Sequence, residues 1–150
     1  MTTILVPIDF SPVTKSVARA ACDLARLTGG RIVLLHVVQP LTALESAGLG
    51  PEIILSSKAA GEKYAVRHLN RLAQACTRRV KAVRTILQTG VPARVIAQKA
   101  AAMGADYIVI GSHGHGAVFD LLVGSTTQKV LRRPPCPVFV VPASKARGRR

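Results

Sequence analysis

"TILVPIDFSP", residues 3–12, is the stretch on which the fold turns. Ile4, Leu5, Val6 and Ile8 put apolar side chains on both parities of an extended chain. A strand with one solvated face would alternate apolar and polar, so Thr3–Ile8 reads as a short strand buried on both faces. The next residues change the local chemistry at once. Ser11 is placed to cap a helix and Pro12 fits its first turn. Val13, Val17, Ala20, Ala21, Leu24 and Leu27 then recur at helical spacing, and Gly29-Gly30 is the expected stop. A doubly buried strand feeding an amphipathic helix is the opening of a parallel β-α-β unit.

The alternation continues along the chain. "RIVLLHVV" (residues 31–38) is a second buried strand, followed by an aperiodic loop between Pro40 and Pro51. A long helix is expected over about Ser56 to Arg79, with Tyr64, Leu69, Leu72, Ala73 and Cys76 on its inner side. Ala82–Gln88 reads as strand three. A helix opened by Pro92 carries Val95, Ile96 and Ala100 and closes near Gly104, and "DYIVI" (residues 106–110) is strand four. A helix over Ser125–Arg132 and a strand over Val138–Val141 complete the series. The fold class is therefore α/β: one domain over residues 1–143, a five-stranded parallel sheet in the order 3-2-1-4-5 with helices on both faces. Residues 144–150 form a basic tail expected to be disordered.

Composition narrows the function. Hydrophobic residues make up 49% of the 150 and charged residues 19%, the balance of a folded globular chain. No apolar run approaches the roughly 18 residues that cross a bilayer, and "MTTILVPIDF" lacks a basic leader, so no membrane association and a cytoplasmic location are expected. Cys22, Cys76 and Cys136 lie far apart and read as reduced thiols. The four histidines show no metal-ligand spacing, and no metal site is assigned. His36 reads as a satisfied residue of a buried strand, and His68, beside Arg67 and Arg71, as solvated. The net charge of +14 invites a nucleic-acid reading, but residues 51–100 carry ten Lys or Arg, mostly in one helical segment, and "KARGRR" at the end carries four more. Aromatic residues are 3% of the chain and tryptophan is absent, so base-stacking platforms and specific nucleic-acid binding are not expected.

In the order 3-2-1-4-5, strands one and four are neighbours where the connections reverse, and ligands of such sheets bind beyond the carboxyl ends at that point. Asp9 ends the first of these strands. The second runs into "GSHGHGAVFDLLVGST", residues 111–126. No lysine precedes Ser125, so this is not a Walker loop, and the first β-α turn lacks the glycines of a dinucleotide fingerprint. What remains is glycine-permitted backbone able to curl its amides into an anion nest, ending at a helix start with hydroxyls. A glycine-rich loop without a ligand stands as the alternative. Asp9 likewise has two readings, as a ligand acceptor or as a partner of the first helix's start.

The spacing Gly111-x2-Gly114-x9-Gly124-Ser125 resembles the nucleotide-binding signature of the universal stress protein family, G-2x-G-9x-G(S/T). "ILVPIDFS", "LLHVV", "GVPARVIAQKAAAMGADYIVIGSHG" and "PCPVFVVP" resemble further segments of that family, leaving only residues 40–58 and the tail without a clear match. The resemblance implies an α/β sandwich that dimerises through its last strand and binds ATP, with Mg²⁺ as a possible companion. It places Asp9 on the ribose and Pro7, Ile8, Val37 and Ile110 around adenine. It places Gly111, Ser112, His113, Gly114, His115, Gly116 and Ala117, with Gly124, Ser125, Thr126 and Thr127, around the phosphates. No residue is assigned a catalytic role. The expected function is an ATP-dependent sensor or regulator in stress response, acting on a protein partner that the residues do not name. The alternatives are a slow ATPase and a nucleotide-independent protein-interaction module.

Overall fold

The computed structural model describes residues 1–42, 48–113 and 123–143. The elements run β1 (Thr3–Pro7), α1 (Thr14–Thr28), β2 (Arg31–Val38), α2 (Pro51–Thr77), β3 (Val83–Thr89), α3 (Pro92–Ala102), β4 (Tyr107–Gly111), α4 (Ser125–Arg132) and β5 (Val138–Val141). The five strands form one parallel sheet in the order β3-β2-β1-β4-β5. The expected architecture and topology are those observed.

The central strand explains the doubly apolar run. Ile4 and Val6 enter one core with Val17, Ala21, Leu69 and Cys76, from α1 and α2. Leu5 points the other way, joining Val95, Ile96 and Val130 from α3 and α4. Ile4, Leu5 and Val6 have no exposed surface at all. Each such side chain contributes about 1.5–3 kcal/mol by leaving water. The strand is fixed to its neighbours at its start. Thr3 N donates to Asp106 Oδ2 at 2.7 Å, Asp106 N to Thr3 O at 2.9 Å, and Arg31 Nε to Thr3 Oγ1 at 2.9 Å. Both polar ends of β1's neighbours are thus set before the chain reaches the site at the opposite end.

Helix boundaries differ from the sequence reading in two places. α1 begins at Thr14 with no side-chain cap. Residues 9–14 instead make a turn: Ser11 N donates to Asp9 Oδ1 at 2.9 Å, and Thr14 N to Ser11 O at 3.0 Å. Phe10, at φ 60°, supplies the left-handed step in that turn. α2 starts at Pro51, several residues before the expected point, because proline pre-sets φ at the first helical position and Glu52 suits the positive end of the helix. Gly29 ends α1 in the left-handed conformation, as read, with Gly30 N donating to Ala25 O at 2.8 Å. Tyr64, expected to face inward, is 54% exposed, while His68, expected to be solvated, is half-buried. The two rings pack against each other at a tilt of 37°, at 4.0 Å between centroids, and Phe10 packs against both. No described helix is long and apolar enough to cross a membrane.

Candidate nucleotide site

The carboxyl ends of β1 and β4 open into a cavity of about 360 Å³, within the usual size range of small-molecule sites. The strand register builds it. β1 pairs with β2 through Pro7 opposite Leu35, so Ile8 and Asp9 emerge beside His36 and Val37. β4 pairs with β1 on the other side through Leu5 opposite Ile108, bringing Ile110 and Gly111 to the same end.

Part of the cavity lining is apolar: Ile8 and Ile110, 4% and 6% exposed, with Pro7, Val37, Val13 and Leu35. Part is polar. Asp9 lines the cavity, its Oδ1 accepting the Ser11 amide. Gly124, Ser125, Thr126 and Thr127, at the start of α4, line it too. No side chain caps α4, and its first helical hydrogen bond runs from Gln128 N to Gly124 O at 2.9 Å. The first-turn amides and the positive end of the helix dipole are thereby available to an anion.

Gly111 sits where the chain has no room for a side chain. A Cβ there would lie 2.7 Å from Val13 Cγ1 and 3.3 Å from His113 O. The close approach lets the β4 carboxyl end pack directly onto α1. Thr127 is 4% exposed, and its hydroxyl donates to Gly111 O at 2.8 Å. Its proton is therefore committed, and toward a ligand it offers its backbone amide and an acceptor oxygen. Ser112 is buried and outside the cavity lining. Its amide donates to Val141 O at 2.8 Å, its carbonyl accepts from Gly124 N at 2.7 Å, and its hydroxyl meets His113 Nδ1 at 2.7 Å. That hydroxyl oxygen also accepts from Ala143 N at 3.3 Å. His113 Nε2 is buried and has no hydrogen-bond partner among the described residues, and His113 lines the cavity. A buried polar atom left in this way costs about 1–3 kcal/mol.

Of the sixteen anticipated site residues, Pro7, Ile8, Asp9, Val37, Ile110, Gly111, His113, Gly124, Ser125, Thr126 and Thr127 line this one cavity. Gly114, His115, Gly116 and Ala117 lie outside the described residues. The sequence reading missed His36, Gln39, Thr14 and Pro92, which also line it. His36 is satisfied, as read, through Nδ1 and Ile8 O at 2.7 Å, but it belongs to the cavity wall rather than to the core. The carbonyl can only accept, so Nδ1 holds the proton. The register of β2 against β1 is the signal that would have found it. No lysine or arginine is among the described lining residues, and no group of three or more potential metal ligands occurs among the described residues.

These features define an α/β domain with a crevice at the reversal point of a five-stranded parallel sheet. The chain belongs to the universal stress protein family, whose profile matches residues 1–142. It is 34% identical over 139 residues to the universal stress protein in the QAH/OAS sulfhydrylase 3′ region of Thermus aquaticus, covering 93% of this chain and 97% of that one. Universal stress protein UspA from Lactobacillus plantarum superposes with a TM-score of 0.75 at 28% identity, covering 93% of this chain and 97% of that one. The universal stress protein from Archaeoglobus fulgidus in complex with dAMP shares the fold, with a TM-score of 0.65 at 21% identity and coverage of 93% and 97%.

Proposed function

We propose that this chain binds ATP in the β1–β4 crevice and serves as a nucleotide-dependent sensor or regulator in stress response. The carrying observation is the convergence of three kinds of group on one cavity: apolar side chains including Ile8 and Ile110, the Asp9 carboxylate, and the α4 start with His113, whose Nε2 has no partner among the described residues. The apolar lining suits a purine, the carboxylate accepts from ribose hydroxyls, and the amides and His113 suit phosphate. The dAMP complex of the distant relative supports the reading only as far as the shared fold. Mg²⁺, where it accompanies ATP, would supply charge neutralisation at the phosphates, with Asp9 the nearest carboxylate of the described lining. The same reading makes the protein a cytoplasmic homodimer paired through β5.

Mass spectrometry of the ligand released from freshly purified protein tests this, together with thermal melting in ATP. A ligand that binds only the folded state raises the melting temperature. Asp9→Asn keeps an acceptor for the Ser11 amide but removes the charge, and should reduce the ATP-induced shift. Absence of an adenine nucleotide, with no shift in millimolar ATP, would leave the interaction-module reading in its place.

A further inference from the structure

A second concavity lies on the same side of the sheet as α1 and α2, in the trough between these helices, with a volume of about 690 Å³. Its floor is apolar: Ala18, Cys22, Leu72 and Cys76. Both thiols are buried, and the Cys76 thiol is held neutral well above physiological pH, first by that burial. On α2 the lining runs from Tyr64 to Cys76, about 18 Å of helix at 1.5 Å per residue, and it continues to Arg79 just beyond the helix end, so the trough is elongated. Phe10, Tyr64 and His68 close one end as a ring cluster.

The rim has one sign of charge. Lys15 and Arg19 stand on α1, Arg71 on α2 and Arg79 just after its end, and no carboxylate is among the described lining residues. Arg79 is partnered by Asp23 at 3.7 Å. Lys15, Arg19 and Arg71 are exposed, with no ion pair among the described residues. An apolar floor with uncompensated cations on both rims has the inverse pattern of an anionic amphiphile. The size is that of a small-molecule site, and the length favours a chain over a single ring.

We infer that the α1–α2 trough is a second ligand site, separate from the nucleotide crevice, that takes an unbranched aliphatic carboxylate with its chain on the apolar floor and its head group at the arginine-bearing rim. Chain burial supplies most of the affinity, through apolar area removed from water. The rim cations select the sign of the head group. The assignment does not depend on nucleotide binding, since the carrying residues line a different cavity.

Calorimetric titration of the full chain with decanoate tests it, with decyltrimethylammonium as the oppositely charged probe of equal chain length. Saturable binding of one decanoate per chain is expected, at least about tenfold tighter than the cation, a difference of about 1.4 kcal/mol. Ala75 is exposed and lines the trough, so Ala75→Trp fills it without entering the core. That variant should weaken decanoate about tenfold or more, as should the double variant Arg19→Glu/Arg71→Glu. Circular dichroism and the urea midpoint establish that both variants remain folded. No saturable decanoate binding below about 1 mM overturns the assignment. So does equal binding of the two amphiphiles, or decanoate binding that neither variant weakens.

Discussion

Thr127 Oγ1 donates to the carbonyl of Gly111 at 2.8 Å, joining the first turn of α4 to the last residue of β4. The two residues are sixteen apart in the chain. With the bond from Gly124 N to Ser112 O at 2.7 Å, it ties the α4 amino terminus to the end of β4, and it does so from a threonine that is 4% exposed.

Thr127→Val keeps the shape of the side chain and removes the donor. It should cost about 1–3 kcal/mol by leaving a buried carbonyl without its partner. Thr127→Ser should recover most of that. Urea denaturation of the three proteins measures both. Equal stability of the valine and serine variants would show that the hydroxyl is not the source.

Gly111→Ala places a methyl 2.7 Å from Val13 Cγ1. Valine is branched at Cβ and cannot rotate the methyl away freely, so overpacking should cost about 1–3 kcal/mol. Val13→Ala should relieve part of the cost in the double variant. The two sites then fail to be additive in a double-mutant cycle, and strict additivity would contradict the contact.

Bound ATP should remain mostly intact over minutes. No lysine or arginine is among the described residues of the crevice, and dipoles that hold ground state and transition state equally give no acceleration. His113 is the described group best placed to donate to developing charge. Single-turnover hydrolysis with Mg²⁺, comparing the parent with His113→Ala, decides the matter. Turnover near the roughly 10 per second of a median enzyme, abolished in the variant, would establish an ATPase instead of a sensor.

β5 is the edge of the sheet beyond β4, with Phe139 48% and Val140 36% exposed. An apolar edge of this kind is a pairing surface unless covered, and two-fold pairing with its copy covers it in both chains. The protein should sediment as a dimer at micromolar concentration, and Val140→Lys as a monomer. A monomeric parent, or a dimer indifferent to the lysine, argues against pairing through β5.

Cys76 is pushed up to about 12, first by burial, then by its hydrogen bond to Cys22 and that thiol's charge, with Arg79 acting in the opposite direction. The folded state therefore favours the protonated thiol. This contribution to stability is complete below the unfolded value near 9 and is lost as pH rises from there towards 12. Stability measured across that window should fall less steeply in Cys76→Ala than in the parent.

Much of this protein was decided by local sequence. The doubly apolar run at residues 3–8, the helical spacing after it and Gly29-Gly30 specify strand, helix and stop through neighbouring residues alone, and short right-handed crossovers then permit few sheet orders. Asp9 and Gly111 were legible as strand ends meeting at the crevice, whereas Pro7, Ile8, Val37 and Ile110 came from the family resemblance. The tertiary structure decided which atoms remain available. The Thr127 hydroxyl is taken by Gly111, His113 Nε2 has no partner among the described residues, and His36 joins the cavity wall through its register beside Ile8. It also moved Tyr64 outward and drew His68 into a ring cluster with Phe10. Hydrogen-bond pairing and ring packing join residues tens of positions apart, and periodicity along the chain carries no information about such partners.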